Sequence, residues 1–161
     1  MDGEVEARQF AVERHGDQRY GERPYVVHLE AVRNVLQDFG HEGALAVAAW
    51  LHDVVEDTAT TRDEVERRFG PEVAALVWAV TGVGADRKAR NASAYAKIQQ
   101  HPAAATLKLA DRIANVEASA TVPAKLEKYR SEWHGFATAL SGLGDARMWP
   151  RLRRALGIPT V

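Results

Sequence analysis

Ala48-Ala49-Trp50-Leu51-His52-Asp53-Val54-Val55-Glu56-Asp57-Thr58 sets four ionisable side chains inside an otherwise apolar run. Charged groups are costly to place in such company unless they are paired or hold an ion. At about 100° per residue, a helix over 43–57 gathers His52, Asp53, Glu56 and Asp57 within an arc of roughly 140°. Val47, Ala48, Leu51, Val54 and Val55 fill the opposite arc. One face therefore suits burial, and the other carries an imidazole and three carboxylates around a common point. Like charges this close repel one another unless something positive sits among them. Two readings stand on this stretch alone. Either a divalent cation pairs with the carboxylates and a neutral imidazole, or this is a solvated acidic helix end with His52 a bystander.

Outward from this stretch, the chain reads as helices separated by turn formers. Residues 3–15 form a first helix stopped by Gly16, and 15–24 form a polar loop. Pro24 is placed to open a helix over 24–38 that carries His28 among Val27, Ala31, Val32, Val35 and Leu36. After the central helix, Thr61-x-x-Glu64 has the form of a capping box and opens a helix closed by Phe69-Gly70. Pro71 begins another, closed by Gly82. Residues 83–91 lack any period and hold three cations, Arg87, Lys88 and Arg90, so a mobile basic loop is expected, followed by a short helix over 92–99.

A long helix is expected over 102–120. Its wheel collects Lys108, Asp111, Arg112, Asn115 and Ser119 within about 100°, against Leu107, Leu109, Ala110, Ile113, Ala114 and Val116. Pro123 opens a helix through Tyr129, Trp133, Phe136 and Leu140, and Asp145 is expected to cap a last one ending at Leu156-Gly157. Alternation never persists long enough to read as a strand. The expected fold is all-α, a helical bundle forming a single domain over 1–161. Trp50, Trp78, Trp133 and Trp149 are assigned to packing.

Composition narrows the chemistry. The chain has no cysteine, so any metal is held by nitrogen and oxygen. With 21 basic and 22 acidic residues, its net charge of −1 is not the basic balance of a nucleic-acid binder. The first residues are charged and lack an apolar core, and no segment is long enough to span a bilayer, which leads to the expectation of a soluble cytoplasmic protein with no membrane partner.

Taken in order, His28, then His52-Asp53, then Asp111 resembles the H…HD…D pattern of the HD-domain metal-dependent phosphohydrolases, a helical superfamily. The phrases Pro24-Tyr25-Val26-Val27-His28, Leu51-His52-Asp53-Val54-Val55-Glu56-Asp57-Thr58, Phe69-Gly70-Pro71-Glu72-Val73-Ala74-Ala75-Leu76-Val77 and Lys108-Leu109-Ala110-Asp111-Arg112-Ile113-Ala114-Asn115 resemble one branch. That branch is the hydrolase domain of the RelA/SpoT alarmone enzymes, with their small stand-alone relatives of the metazoan SpoT-homologue type.

The resemblance implies that His28, His52, Asp53 and Asp111 are ligands of one metal ion, Mn2+ in that branch; the mixed donor set also suits Fe2+ or Zn2+. It implies that Glu56 and Asp57 position and activate the attacking water. Arg19 matches an arginine lining the site, and Asn115 matches a residue touching the nucleoside. Lys88 and Arg90, with Arg87 as a spare, are candidates to close over a diphosphate. Tyr129 is either a core residue or a contact to sugar or phosphate, and Arg112 is expected to pair with a carboxylate of a helix.

The implied activity is removal of the 3′-diphosphate of (p)ppGpp as pyrophosphate. The alternatives are a phosphatase of NADPH or another small phosphate ester, and a non-catalytic module that senses a nucleotide. Tyr20-Gly21-Glu22-Arg23 departs from the Ser-Gly-Glu of the branch at a segment that contacts the base, which leaves guanine selectivity open. Leu29-Glu30 replaces the proline that usually follows the histidine at His28.

Overall fold

The computed structural model describes residues 2–159, so the expected span of 1–161 reaches past the described residues at both ends. α1 (Asp2–His15) ends at Gly16, whose φ of 53° is left-handed backbone that suits glycine. A small antiparallel hairpin follows, β1 (Arg19–Tyr20) and β2 (Arg23–Pro24), with Arg19 opposite Pro24 and Tyr20 opposite Arg23. Two residues per strand are too few to leave an alternating pattern, which is why the sequence reads there as a loop. Pro24 belongs to β2 rather than to the next helix, and α2 (Val26–Asp38) starts beyond it.

The single helix expected over 43–57 is in fact two, α3 (Ala44–Leu51) and α4 (Val54–Asp57). Asp53 has φ −104° and ψ 0°, the bridge region, which interrupts the regular ladder. The Asp57 N–H then donates to the Asp53 carbonyl at 2.9 Å and helix resumes. His52 and Asp53 thus occupy a joint in the chain.

α5 (Arg62–Phe69) starts as the Thr-x-x-Glu spacing predicts, with the Glu64 N–H donating to the Thr61 hydroxyl at 3.2 Å. The Glu64 carboxylate does not close the box; it pairs with Arg14 of α1. α6 (Pro71–Val80) follows with its proline in the first turn.

The loop expected over 83–91 is shorter: residues 83–86 are irregular, but 87–91 belong to a helix. The Asp86 carboxylate accepts from the Ala89 N–H at 2.8 Å, so α7 (Arg87–Gln100) begins there and takes in Lys88 and Arg90. An aspartate cap ahead of good helix formers outweighs the crowding of cations. α8 (Ala104–Ala118), α9 (Pro123–Leu140) and α10 (Met148–Leu156) complete the chain. Asp145 lies too early to cap α10; it accepts instead from the Arg147 N–H at 2.9 Å.

α8 packs against α2, α3, α6, α9 and α10. Leu107, Leu109, Ala110, Ile113 and Val116 are fully buried along it, and that burial supplies the main driving force for gathering the other helices round it. Trp50 is buried on α3, and Trp133 and Trp149 meet edge to face at 6.1 Å. Trp78 is half-buried beneath Lys97, whose ammonium stands 3.8 Å from the ring centre. The fold is all-α apart from the hairpin. No helix among the described residues is long and apolar enough to cross a membrane.

Candidate functional site

Three parts of the fold deliver four donors to one place: α2 brings His28, the α3–α4 joint brings His52 and Asp53, and α8 brings Asp111. One ligand atom of each lies within 4.8 Å of all the others. His28 Nε2 is 3.0 Å from Asp111 Oδ1 and 3.7 Å from Asp53 Oδ2. His52 Nε2 is 3.0 Å from Asp53 Oδ2 and 3.3 Å from Asp111 Oδ1. Both histidines are 2% exposed, so the cluster is sealed from behind and is reached from the carboxylate side.

The donor set fits a divalent cation. His52 Nδ1 lies 2.8 Å from the Ala49 carbonyl, an oxygen that only accepts, so in the neutral, ion-binding form of the ring the proton stays on Nδ1 and the Nε2 lone pair points into the cluster. That Nε2 is buried and has no hydrogen-bond partner. A buried lone pair aimed at two carboxylate oxygens is the arrangement of a metal-ligating imidazole.

Other side chains hold the carboxylates in place. The Tyr25 hydroxyl donates to Asp53 Oδ2 at 2.5 Å. Asp111 accepts at Oδ1 from Asn115 Nδ2 at 3.0 Å and at Oδ2 from Lys108 Nζ at 3.2 Å. Tyr20 stacks on the His28 ring at 4.7 Å and donates to Asn115 Oδ1 at 2.7 Å. Burial and the nearby carboxylates keep both tyrosines protonated, well above the ordinary tyrosine pKa.

The cluster opens onto a cleft. Glu56 and Asp57 line it from α4, and Arg87, Arg90, Lys108 and Arg112 line it from α7 and α8, with Asn115 and Tyr129. Glu56 accepts from the Gly82 N–H and Asp57 Oδ2 from Gln18 Nε2 at 3.0 Å. Burial raises both carboxylates above the ordinary range, those donors pull them partly back, and the Asp53 charge adds to the rise.

Arg112 is almost wholly buried, with its side chain 4% exposed, and pairs with Glu132 at 3.0 Å, the carboxylate of a helix that the sequence led one to expect. Arg87 forks onto the same carboxylate at 2.7 and 3.0 Å. Both guanidiniums lie over the Tyr129 ring, at 5.2 and 5.8 Å.

Not every expected residue reaches the cleft. Arg19 is exposed, and its guanidinium donates to the Glu22 carbonyl at 3.4 Å. Successive side chains on a strand point to opposite faces, so when Tyr20 turns inward Arg19 turns out. On α7 the stripe Arg87, Arg90, Asn91 and Ala94 lines the cleft at helical spacing, while Lys88 lies off it in a groove with Ser131 and Gly135.

The sequence did not single out Gln18, Tyr20, Tyr25 or Glu132 as site residues. Tyr25, three residues before His28 at a helix start, and Glu132, one turn after Tyr129, were open to detection by spacing. Tyr20 and Gln18 were not, because no local pattern marks the hairpin.

Residues 7–137 match the family described as HD domain. The chain is 40% identical over 117 residues to the guanosine-3′,5′-bis(diphosphate) 3′-pyrophosphohydrolase of Aquifex aeolicus, covering 69% of this chain and 17% of that protein. Against the Homo sapiens protein of the same name it is 37% identical over 122 residues, covering 70% of this chain and 66% of that one. The chain thus spans about a sixth of the Aquifex relative and about two thirds of the human one. In three dimensions it is similar to the solved structure of a metazoan ortholog of SpoT, described as hydrolysing ppGpp. The TM-score there is 0.79 at 27% identity, over 98% of this chain and 95% of that one. With the match running through α2, the α3–α4 joint and α8, the elements that carry the four donors, this chain belongs to the HD-domain family.

Proposed function

We propose that this chain is a metal-dependent nucleotide phosphohydrolase that removes the 3′-diphosphate of (p)ppGpp as pyrophosphate, leaving GDP or GTP. The observation that carries the reading is a cleft with two carboxylates on one side, four cations around it and a four-donor cluster beside it. The likeness to proteins named for this reaction supports the choice of substrate.

His28, His52, Asp53 and Asp111 would hold the ion, Mn2+ by likeness to the branch. Once bound, such an ion supplies Lewis acidity and lowers the pKa of water. Glu56 and Asp57 orient the attacking water and accept its proton; their raised pKa values bring their basicity nearer to neutral pH, where a general base works best. Water adds to the phosphorus attached to the ribose 3′-oxygen, the P–O3′ bond breaks, O3′ takes up a proton to become the free hydroxyl of GDP or GTP, and pyrophosphate is released. Arg87, Arg90, Lys108 and Arg112 offset the negative charge on the phosphoryl oxygens. Arg112 acts in the driest surroundings and so with the least screening. Tyr129 forms the wall beneath the two guanidiniums.

A second reading keeps the site and changes the substrate to NADPH or another small phosphate ester. It is favoured by the engagement of Asn115 with both Asp111 and Tyr20, which ties the amide to the protein and leaves it one N–H and one oxygen lone pair for a nucleoside. Incubating the Mn2+-loaded protein with ppGpp and NADPH and resolving the products by chromatography separates the two. GDP and pyrophosphate in equal amounts are expected. Orthophosphate release, from either compound, transfers the assignment to the second reading. Tight binding of ppGpp without turnover turns it to a sensing module.

Stability supplies a further test. Burial opposes a charge on His52, but Asp53 and Asp111 outweigh it and raise the pKa well above its ordinary value. Burial likewise opposes the charge on Asp53, yet chiefly His52 holds it down to about 2. A raised histidine pKa stabilises the fold fully below the unfolded value, roughly 6.5, and that stabilisation is lost as pH rises through the folded value. Protein stripped of divalent ions by a chelator is therefore expected to melt at falling temperature from about pH 6.5 upward. A cation must displace the His52 proton, so its binding tightens as pH rises. Added Mn2+ is expected to raise the melting temperature most at the alkaline end, as read by scanning fluorimetry across pH with and without Mn2+. A flat Mn2+ effect across pH would separate the ion from His52.

A further inference from the structure

We infer that His15 is a positioning residue for Asp57, acting through Gln18; this rests on the proposed water-activating role of Asp57. His15 is the last residue of α1, buried and far along the chain from α4. Its Nδ1 lies 2.8 Å from Gln18 Oε1, and Gln18 Nε2 lies 3.0 Å from Asp57 Oδ2.

Donor and acceptor chemistry fixes every orientation in this row. An ionised carboxylate only accepts, so the Gln18 –NH2 faces Asp57 and its carbonyl oxygen faces His15. An amide oxygen also only accepts, so His15 carries its proton on Nδ1. Donation therefore runs one way, from His15 to Gln18 to Asp57. The backbone secures the middle member: the Gln18 N–H donates to the His15 carbonyl at 3.0 Å, and the Tyr25 N–H donates to the Gln18 carbonyl at 3.1 Å.

Packing alone does not account for a histidine here. The His15 ring lies against the Tyr25 ring at 4.6 Å, a contact that a phenylalanine would make as well. Its Nε2, by contrast, is buried without a hydrogen-bond partner, an unfavourable placement that phenylalanine would avoid. What the imidazole adds is the Nδ1–H. With Gln18 held by it, Asp57 presents its other oxygen, Oδ1, to the attacking water in one orientation. Reactions that depend on a fixed approach lose rate steeply when the positioning group drifts.

The test uses the full chain loaded with Mn2+ and steady-state pyrophosphate release from ppGpp, with Asp57→Asn as control. Gln18→Leu and His15→Phe are each expected to lower kcat about tenfold with KM changed less than about twofold, the scale seen when supporting residues are removed. The double variant should be no slower than Gln18→Leu alone, because His15 acts only through Gln18. His15→Gln, whose amide also donates to Gln18, should recover most of the rate. Losses that multiply in the double variant overturn the inference, as does a His15→Phe enzyme at full speed while Asp57→Asn is inactive. If His15→Phe does not fold, a His15→Gln enzyme as slow as Gln18→Leu overturns it equally. An Asp57→Asn enzyme at full speed removes the water-activating role itself, and the inference with it.

Discussion

Asp111→Asn is expected to lose the cation and the turnover together. Asp111 Oδ1 sits between the two imidazoles, 3.0 Å from His28 Nε2 and 3.3 Å from His52 Nε2, while Oδ2 faces Lys108 at 3.2 Å. An asparagine is almost the same size, so the helix and its apolar side are undisturbed. Its –NH2, however, has to face either the imidazole lone pairs or the Lys108 ammonium. In the first orientation it occupies a ligand position with a donor; in the second it meets another donor, and Lys108 loses its counter-charge. Removing a residue that merely supports a ligand costs 10–100-fold, so losing a ligand and its charge should cost turnover at least about 1,000-fold. Metal content after gel filtration, read by plasma mass spectrometry, and pyrophosphate release check the two losses. A variant that retains one equivalent of metal would place Asp111 outside the centre.

How much of this was legible in the sequence depends on how far apart the interacting residues lie. Asp111 stood out because an ionisable side chain shared an arc with Lys108, Arg112 and Asn115 on a helix otherwise made of Leu, Ile, Val and Ala. His52, Asp53, Glu56 and Asp57 stood out for the same reason, and the helices around them followed from periodicity and from Pro, Gly and Thr at their ends. The joint at Asp53 left no such trace. Residues 43–57 have the composition of one continuous helix, and its interruption goes with contacts from outside the run, the Tyr25 hydroxyl on Asp53 among them.

The supporting residues were hidden for a related reason. Gln18 reaches Asp57 across 39 positions and Tyr20 reaches Asn115 across 95, separations at which no local pattern operates. Arg19 stands outside the cleft and Tyr20 reaches in to Asn115 because of the hairpin, whose two-residue strands decide which side chain turns inward. In the 83–91 stretch the crowding of cations masks the cap at Asp86, which starts α7 and lines up Arg87 and Arg90 along the cleft.

Glu56→Gln combined with Asp57→Asn is expected to abolish hydrolysis of ppGpp while leaving its binding intact. Both replacements keep a carbonyl oxygen that accepts where the carboxylate did, from the Gly82 N–H for residue 56 and from Gln18 for residue 57. Shape and hydrogen bonding survive; basicity and charge do not. General bases contribute about 100- to 10,000-fold each, so kcat should fall by at least about 1,000-fold. Removing two negative charges from a cleft that takes up a polyanion cannot weaken binding electrostatically, so the ppGpp dissociation constant by calorimetry should stay the same or fall.

The single variants add a signed test. Burial raises the Glu56 pKa most, and the Asp57 charge adds to the rise. In the wild type, kcat is therefore expected to drop on the acid side at a pH above the ordinary glutamate value of roughly 4.3. Asp57→Asn removes one source of that rise and should move the acid limb to lower pH, even as it lowers the plateau. A limb that stays in place would uncouple Asp57 from the group that sets it, and a double variant that turns over at the wild-type rate would take both carboxylates out of the chemistry.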